Sequence, residues 1–314
     1  MGCIFSAPEL HQLVEANDSE AIVALLAKFT DKEVLQQCVN ALFLDKTALW
    51  NACTVKNNVK VVQILLDHMA DCSIICDQGN STALMSAAFC GHDQVAQVLC
   101  NNPANKVDEQ TRDGRTALIC ACYANNPDCI QVLLNANANV NLTHGWEHGS
   151  GTALHVAARD GKSGLVNTLL KANSIDVNVL DYGNNTALIS ACVAAGEAIG
   201  HNEDPENQVI RGAKMIDIQP YYTVIKALVR AGTDLTFENH VGVTALNCHR
   251  KVVEIVQYAI KHPVSSLSQA GSRVSGNYTE DNTSNGKVAE TDKVIKSTSV
   301  NNLLIKLVEK GDKK

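Results

Sequence analysis

The fold is decided by the stretch Gly151-Thr152-Ala153-Leu154-His155-Val156-Ala157-Ala158-Arg159-Asp160-Gly161-Lys162, because its first residues recur along the chain. The tripeptide Thr-Ala-Leu appears six times, at intervals of 35, 34, 36, 34 and 58 residues. A repeat period near 34 residues is typical of a solenoid built from small supersecondary units. Thr is also a favoured N-cap residue, so each tripeptide predicts the start of a helix. The six anchors are Thr47, Thr82, Thr116, Thr152, Thr186 and Thr244.

The surroundings of each anchor repeat as well. Turn-forming residues precede it, as in Arg112-Asp113-Gly114-Arg115, and a pair of small residues follows it, as in Ala87-Ala88 or Ala121-Cys122. A second apolar stretch such as 130–134 completes the unit. Small residues allow neighbouring repeats to approach closely. The pattern therefore predicts a hairpin or loop followed by two helices in every repeat.

This pattern resembles the ankyrin repeat. Residues 151–162 are the closest copy, Gly91-His92 matches the turn between the two helices, and Asp176-Val177-Asn178 matches the end of a repeat. Ala replaces the family's Pro after the anchoring Thr. The resemblance covers about residues 8–262. It implies an all-α repeat solenoid of helix-turn-helix units, each with a β-hairpin or loop.

The ends of a solenoid need atypical capping repeats, because an apolar face is otherwise left open. We expect an N-terminal helix pair over residues 8–26 and a short final pair around 249–256. The 58-residue interval predicts an insertion, at about residues 196–219, between the helices of the fifth repeat. It serves either as a plain surface loop or as a dedicated partner site. The solenoid over 8–262 then holds about six repeats and an N-terminal cap.

Residues 263–314 are predicted to be a disordered tail, because Ser, Thr, Asn and Gly dominate residues 263–299. The tail ends in a short amphipathic segment, 299–308, for which a helix is expected. Three interpretations of that segment stay open: it folds back on the solenoid, it binds a partner or an acidic lipid surface, or it frays in solution.

The composition excludes several classes of protein. Hydrophobic residues make up 46% of the chain, which excludes wholesale disorder. The 26 Lys and Arg against 33 Asp and Glu give a net charge of −7, so we expect no nucleic-acid partner. The twelve cysteines follow the repeat rather than a metal-binding spacing, and no secretory leader is recognised. We therefore expect free thiols in a reducing cytosol, with no metal and no cofactor.

The first residues carry a lipidation pattern. Met1-Gly2-Cys3-Ile4-Phe5-Ser6 matches the N-myristoylation motif, in which removal of Met exposes Gly2. A single myristoyl chain binds a membrane weakly, with a partition constant of about 10⁴ M⁻¹, so palmitoylation of Cys3 is the expected second anchor. Residues 1–7 are thus predicted to tether a cytoplasmic protein to the cytosolic membrane leaflet. The alternative is an ordinary disordered start.

No catalytic constellation is found in the sequence. Gly161-Lys162-Ser163 lacks the upstream Gly and the strand of a phosphate-binding loop. The spacing of His144 and His148 suits two metal ligands on a helix, but the repeat register places both in a hairpin tip. The resemblance to ankyrin repeats also implies that catalysis is rare. We expect no enzymatic activity.

The resemblance implies that residues four and seven positions after each Thr face a binding groove. Phe89, Tyr123 and Arg159 are then neighbours at the seventh position, and aromatic and Arg side chains dominate binding hot spots. The alternative is that Phe89 and Tyr123 are partly buried between helices. The fourth position is occupied by Asn51, Ser86, Cys120, Val156 and Ser190.

The hairpin tips form a second predicted contact row. Trp146 lies in the longest tip, where it is either an exposed anchor or folded onto the next hairpin. The flanking residues predicted to contact a partner are Arg112, Arg115, His144, His148 and Tyr182.

Together these features predict a non-enzymatic ankyrin-repeat adaptor that binds a protein partner and is tethered to a membrane by acylated Gly2 and Cys3. One alternative is a soluble regulatory inhibitor or cofactor. Another is a microbial ankyrin effector that acts in a host cell. An enzyme hidden in the insertion and tail is a further alternative, although both segments are small for a catalytic domain.

Overall fold

The computed structural model describes residues 7–56, 58–76, 81–145, 151–203 and 217–262. The lipidation motif, Trp146, His148, part of the predicted insertion and the predicted tail lie outside the described residues. Within the described ranges there are fourteen helices, and pairing between extended segments is limited to isolated bridges. The helices are α1 (Ala7–Glu15), α2 (Ser19–Leu26), α3 (Lys32–Val39), α4 (Ala48–Thr54), α5 (Val59–Asp67), α6 (Ala83–Cys90), α7 (Asp93–Asn101), α8 (Ala117–Tyr123), α9 (Pro127–Asn135), α10 (Ala153–Arg159), α11 (Ser163–Leu169), α12 (Ala187–Glu203), α13 (Gln219–Arg230) and α14 (Arg250–Lys261).

The helices form two stacked layers. The first helices of successive repeats (α4, α6, α8, α10 and α12) pack side by side, and so do the second helices (α5, α7, α9, α11 and α13). The N-terminal pair α1 and α2 packs on α4 and α5 and covers that end of the stack. The predicted all-α repeat solenoid is therefore confirmed.

Five of the six anchoring threonines precede a first helix as predicted, and Thr244 does not. The Thr47 hydroxyl accepts a hydrogen bond from the backbone N–H three residues later at 3.1 Å, and Thr82 and Thr116 do the same at 3.3 Å. At Thr152 the backbone N–H instead donates to His155 Nδ1 at 3.1 Å. These bonds satisfy N–H groups that have no partner inside the helix, so each helix begins at the residue after Thr.

Small side chains fill the contacts between neighbouring first helices. The Ala-Ala and Ala-Cys pairs are fully buried at Ala87-Ala88, Ala121-Cys122 and Ala157-Ala158. The second helices contribute larger apolar side chains, each worth roughly 1.5–3 kcal/mol when buried. Small residues at the contacts between first helices and larger aliphatic residues on the second helices fill the core, which explains why the chain contains only 4% aromatic residues. The larger side chains include Leu65, Leu99, Leu133 and Leu169.

A further contact links three of the repeats to the one before. In the repeats anchored at Thr82, Thr116 and Thr152, the residue ten positions after the anchor lies in the turn between the two helices, and its side chain reaches the last carbonyls of the preceding first helix. Helix-terminal carbonyls have no partner within the helix, so this contact stabilises the helix end. Three side chains make this contact, and we call them the cross-repeat caps. His92 Nδ1 lies 2.9 Å from the Cys53 oxygen, and Asn126 donates to the Phe89 oxygen at 2.8 Å. Lys162 donates to the Cys122 and Tyr123 oxygens at 3.0 and 3.1 Å.

The loops between repeats are joined in the same way. The Asn141 side chain accepts from the Asp176 N–H at 2.9 Å and donates to the Ser174 oxygen at 2.8 Å. Asn178 accepts from the Asp234 N–H at 2.8 Å. These bonds connect segments more than thirty residues apart, so each loop is fixed by its neighbour in the stack.

The fifth repeat differs from the prediction. At its cross-repeat cap position the chain has Gly196, and α12 continues without a turn as far as Glu203. Ile199 in this extension is buried, and a Cβ placed on Gly196 would lie 3.1 Å from the His249 Cβ. The beginning of the predicted insertion is therefore a packed helix and not a surface loop.

Both ends of the stack also depart from the prediction. After Thr244 the chain forms only a turn, so the expected final helix pair is wrong and α14 alone ends the stack. At the other end, α3 follows the predicted N-terminal pair and is an additional helix. Asp31 caps it by accepting from the Glu33 N–H at 2.8 Å.

Candidate protein-binding surface

The seventh position after each anchor lies at the C-terminal end of a first helix and reaches the surface. Phe89 is 58% exposed, and Tyr123 and Arg159 are half-buried on the next two helices of the layer. Of the two sequence alternatives, partial burial applies to Tyr123 but not to Phe89. These side chains lie on α6, α8 and α10, which pack as neighbours.

The fourth position is buried in the three central repeats. Ser86, Cys120 and Val156 are all buried on first helices that pack against each other. The expectation that this position faces a groove is therefore wrong for these three residues, whereas Asn51 and Ser190 at the same position are partly exposed.

Tyr123 is held by a histidine from the next repeat. Its hydroxyl lies 3.1 Å from His144 Nε2, and the two rings meet edge to face with centroids 5.6 Å apart. The backbone of His144 is fixed in turn, since it exchanges two hydrogen bonds with Gly151 at 3.0 and 2.9 Å. Tyr123 is therefore a pre-positioned side chain rather than a mobile one.

His144 itself is not at an exposed tip. Only 6% of its surface is exposed, so it supports Tyr123 from beneath instead of flanking Trp146 at the surface. Burial, together with the positive charges of Arg159 and Arg115, lowers the pKa of His144 despite an opposing effect of Asp113. Both guanidinium charges therefore act on His144, which in turn contacts Tyr123.

The charged groups around His144 are partly paired. Arg115 Nε lies 2.7 Å from an Asp113 carboxylate oxygen. Burial raises the pKa of Asp113, but the hydrogen bond from Thr111 and the charge of Arg115 outweigh it and lower the pKa overall. We call Phe89, Tyr123, Arg115 and Arg159 the central patch.

The predicted tip residues are distributed as follows. Arg112 is exposed beside Arg115, and Tyr182 is 75% exposed on the hairpin of the fifth repeat. The Tyr182 ring covers Gly145, because a Cβ on that glycine would clash with the ring. The structure thus places Tyr182 next to the fourth hairpin, where the Gly145 N–H donates to the Asp113 oxygen at 3.1 Å. Contact of a partner with any of these residues stays a prediction.

Lys162 and Asn126 also support the row formed by Phe89, Tyr123 and Arg159, a role that was not predicted from the sequence. They bind the backbone of Tyr123 and Phe89 and so fix where these two side chains emerge. Both residues lie ten positions after an anchoring Thr, and this shared spacing could have identified them from the sequence. Trp50, in contrast, has a structural role, since its Nε1–H donates to Ser81 Oγ at 2.7 Å.

Most of the described cysteines pack as small apolar residues, whereas Cys90 is exposed. Cys53, Cys122 and Cys192 are fully buried, and burial raises the pKa of Cys122 to about 12, which disfavours a reactive thiolate. Among the described residues no cluster of three or more His, Cys, Asp or Glu side chains is arranged to hold a metal ion. Within the same ranges, no helix has the length and apolar character needed to span a bilayer.

Comparison with known families agrees with this architecture. The profile described as "Ankyrin repeats (3 copies)" matches residues 10–110, 76–144 and 100–181, which together make up more than half of the chain. The chain belongs to the ankyrin repeat family. Among solved structures, the ankyrin repeat domain of Bcl-3, titled a unique member of the IkappaB protein family, aligns with a TM-score of 0.62 and 22% identity. The alignment covers 79% of this chain and 97% of that one, and it shows a shared fold.

Curated relatives share the repeats but are much longer. The E3 ubiquitin-protein ligase KEG of Arabidopsis thaliana is 26% identical over 195 residues, covering 59% of this chain and 12% of that protein. NF-kappa-B inhibitor zeta of Mus musculus is 26% identical over 187 residues, covering 54% of this chain and 24% of that protein. This ankyrin-repeat chain therefore spans a quarter or less of the length of these two relatives.

The buried histidines make stability depend on pH. Burial lowers the pKa of His11, His144 and His155 below the ordinary value near 6.5, so the unfolded chain binds more protons than the folded one in mild acid. The free energy of unfolding should therefore be highest above pH 7 and fall as the pH drops through 6.5 and below. Urea unfolding at pH 7.5 and 5.5 measures this.

The control compares two histidine variants. His144→Gln removes one buried titrating group and should make the loss of stability between the two pH values smaller. The same substitution at the exposed His240 should leave the loss as in the wild type. A His144→Gln protein with an unchanged pH dependence would contradict this account.

Proposed function

We infer that this protein is a non-enzymatic ankyrin-repeat adaptor that binds a protein partner through the central patch and is tethered to the cytosolic leaflet of a membrane by acylation of Gly2 and Cys3. The observation that carries the binding half is Phe89. It is an aromatic residue with more than half of its surface exposed, in the same row as Tyr123 and Arg159. Exposed aromatic and Arg side chains on rigid supports are favoured as interface anchors.

The rigidity of the patch supports the same conclusion. Lys162 holds the Tyr123 backbone and His144 holds its hydroxyl, so little side-chain entropy remains to be lost on binding. Ordering a free side chain costs about 0.5–1.5 kcal/mol, and that cost is largely removed here. A pre-ordered aromatic surface suits recognition of another protein.

The binding half is tested by Phe89→Ala, with Tyr258→Ala as the matched control. The two aromatic side chains are similarly exposed, 58% and 51%, but Tyr258 lies on α14 at the end of the stack. Loss of a hot-spot aromatic costs about 2 kcal/mol or more, so Phe89→Ala should weaken capture of a partner more than tenfold. Affinity purification of the full-length chain with quantitative mass spectrometry, followed by titration of the captured protein, measures this. Equal losses for both variants would place the site elsewhere.

The tether is tested by imaging fluorescent fusions and by intact-mass measurement. Gly2→Ala removes the acceptor of myristate and should release the protein from membranes entirely. Cys3→Ser keeps myristate but removes the second anchor, so it should leave only weak, reversible attachment. A wild-type protein without added lipid mass, or an unchanged membrane signal for Gly2→Ala, would remove the tether from the proposal.

A second candidate function is a soluble regulatory inhibitor or cofactor. Two observations favour it: the similarity to NF-kappa-B inhibitor zeta and the shared fold with the Bcl-3 ankyrin domain. This candidate requires the same protein-binding surface but no lipid. Absence of acylation combined with loss of partner capture in Phe89→Ala would select it over the tethered adaptor.

A further inference from the structure

The central patch has a charge opposite to that of its surroundings. Residues 1–262 contain 18 Lys and Arg and 27 Asp and Glu, so this part of the chain is acidic overall. Around the patch the balance reverses, with four basic side chains and two carboxylates in residues 111–115 and 159–162. The basic residues are Arg112, Arg115, Arg159 and Lys162, and the acidic ones are Asp113 and Asp160.

The two carboxylates do not neutralise this surplus. Asp113 pairs with Arg115 at 2.7 Å, and Asp160 pairs with Lys162 at 2.9 Å. Arg159 is left with a long contact of 3.6 Å to Asp160. The side chains of Arg115 and Arg159 are 36% and 33% exposed, so both are partly accessible to a ligand, although the Nε of Arg115 is buried against Asp113.

These basic groups share a row with an exposed aromatic side chain. Phe89 is exposed two repeats away from Arg159 in the same row, and Tyr123 stands between them. Packed helix axes are about 8–10 Å apart, so the row from Phe89 to Arg159 extends roughly 16–20 Å. An extended peptide rises about 3.3 Å per residue and would cover this distance with five or six residues.

We propose that the central patch binds an extended acidic peptide segment of a partner protein. An apolar side chain of the peptide packs on Phe89, and an Asp or Glu about five or six residues away binds Arg159 and Arg115. Guanidinium groups bind carboxylates through paired, charge-assisted hydrogen bonds, which gives the contact both strength and direction. The segment runs across the first helices and passes over Tyr123. This assignment rests on the proposed protein-binding function and specifies the chemistry of the partner.

A random peptide library displayed on phage and selected on the full-length protein tests the assignment. The wild type should enrich peptides that carry Asp or Glu about five residues from a large apolar residue. The double variant Arg115→Gln/Arg159→Gln should not enrich them. Arg230→Gln, at an exposed arginine of α13, is the matched control and should enrich the same peptides as the wild type. Circular dichroism and urea unfolding establish that all three proteins are folded.

Fluorescence anisotropy with one enriched peptide then gives the magnitude. Changing its acidic residues to the corresponding amides should weaken binding about tenfold or more, and the double arginine variant should lose the same factor. Binding should also weaken as salt is raised, because the pairs are near the surface. Enrichment of neutral or basic peptides, or equal affinity for the acidic and amide forms, would overturn the proposal. So would a DNA oligonucleotide that displaces the peptide at equal concentration, since the site would then bind phosphate backbones.

Failure of the acidic-peptide proposal can be distinguished from failure of the proposed protein-binding function. If Phe89→Ala reduces capture of the natural partner but the double arginine variant selects the same peptides as the wild type, the adaptor function stands and the acidic specificity falls. If Phe89→Ala leaves capture of the natural partner unchanged, the partner-binding surface lies elsewhere on the protein.

Discussion

The contact on which the architecture depends is the cross-repeat cap. A side chain in the turn of one repeat donates to the terminal carbonyls of the first helix in the repeat before, as Lys162 does to Tyr123 and Asn126 does to Phe89. The fully buried Ala and Cys pairs bring the helices close enough for this reach. Where the cap position is Gly196, the pattern ends and α12 continues straight on.

The same contact connects stability to binding. A surface row is useful for recognition only if its spacing is fixed, and the caps fix the points at which Phe89 and Tyr123 leave their helices. The hairpin of the fourth repeat adds His144, which holds the Tyr123 hydroxyl at 3.1 Å. Arg115 and Arg159 complete the surface with positive charge in an otherwise acidic stack. The repeats that contain Asn126 and Lys162 thus support Phe89 and Tyr123, the side chains that we propose for binding.

Much of the fold could be predicted from the sequence, because Thr-Ala-Leu and the small-residue pairs act locally and recur in register. The row of Phe89, Tyr123 and Arg159 followed from the same register. The burial of His144 and the straight continuation of α12 could not be predicted, since both depend on contacts with neighbouring elements. The burial of Cys120 and Val156 at the fourth position was missed for a related reason, because it depends on packing between neighbouring repeats, which a single repeat does not reveal.

The most direct test of the cross-repeat cap is the free energy of unfolding of Lys162→Met, measured by urea denaturation beside Lys171→Met. Methionine keeps the aliphatic stem, so the first variant loses the bonds to the Cys122 and Tyr123 carbonyls and the pair with Asp160. Hydrogen bonds to a charged group contribute about 1.5–3 kcal/mol, so Lys162→Met should be less stable by about that amount. Lys171 is exposed, and its variant should stay within about 0.5 kcal/mol of the wild type. Equal stability of the two variants would contradict the account.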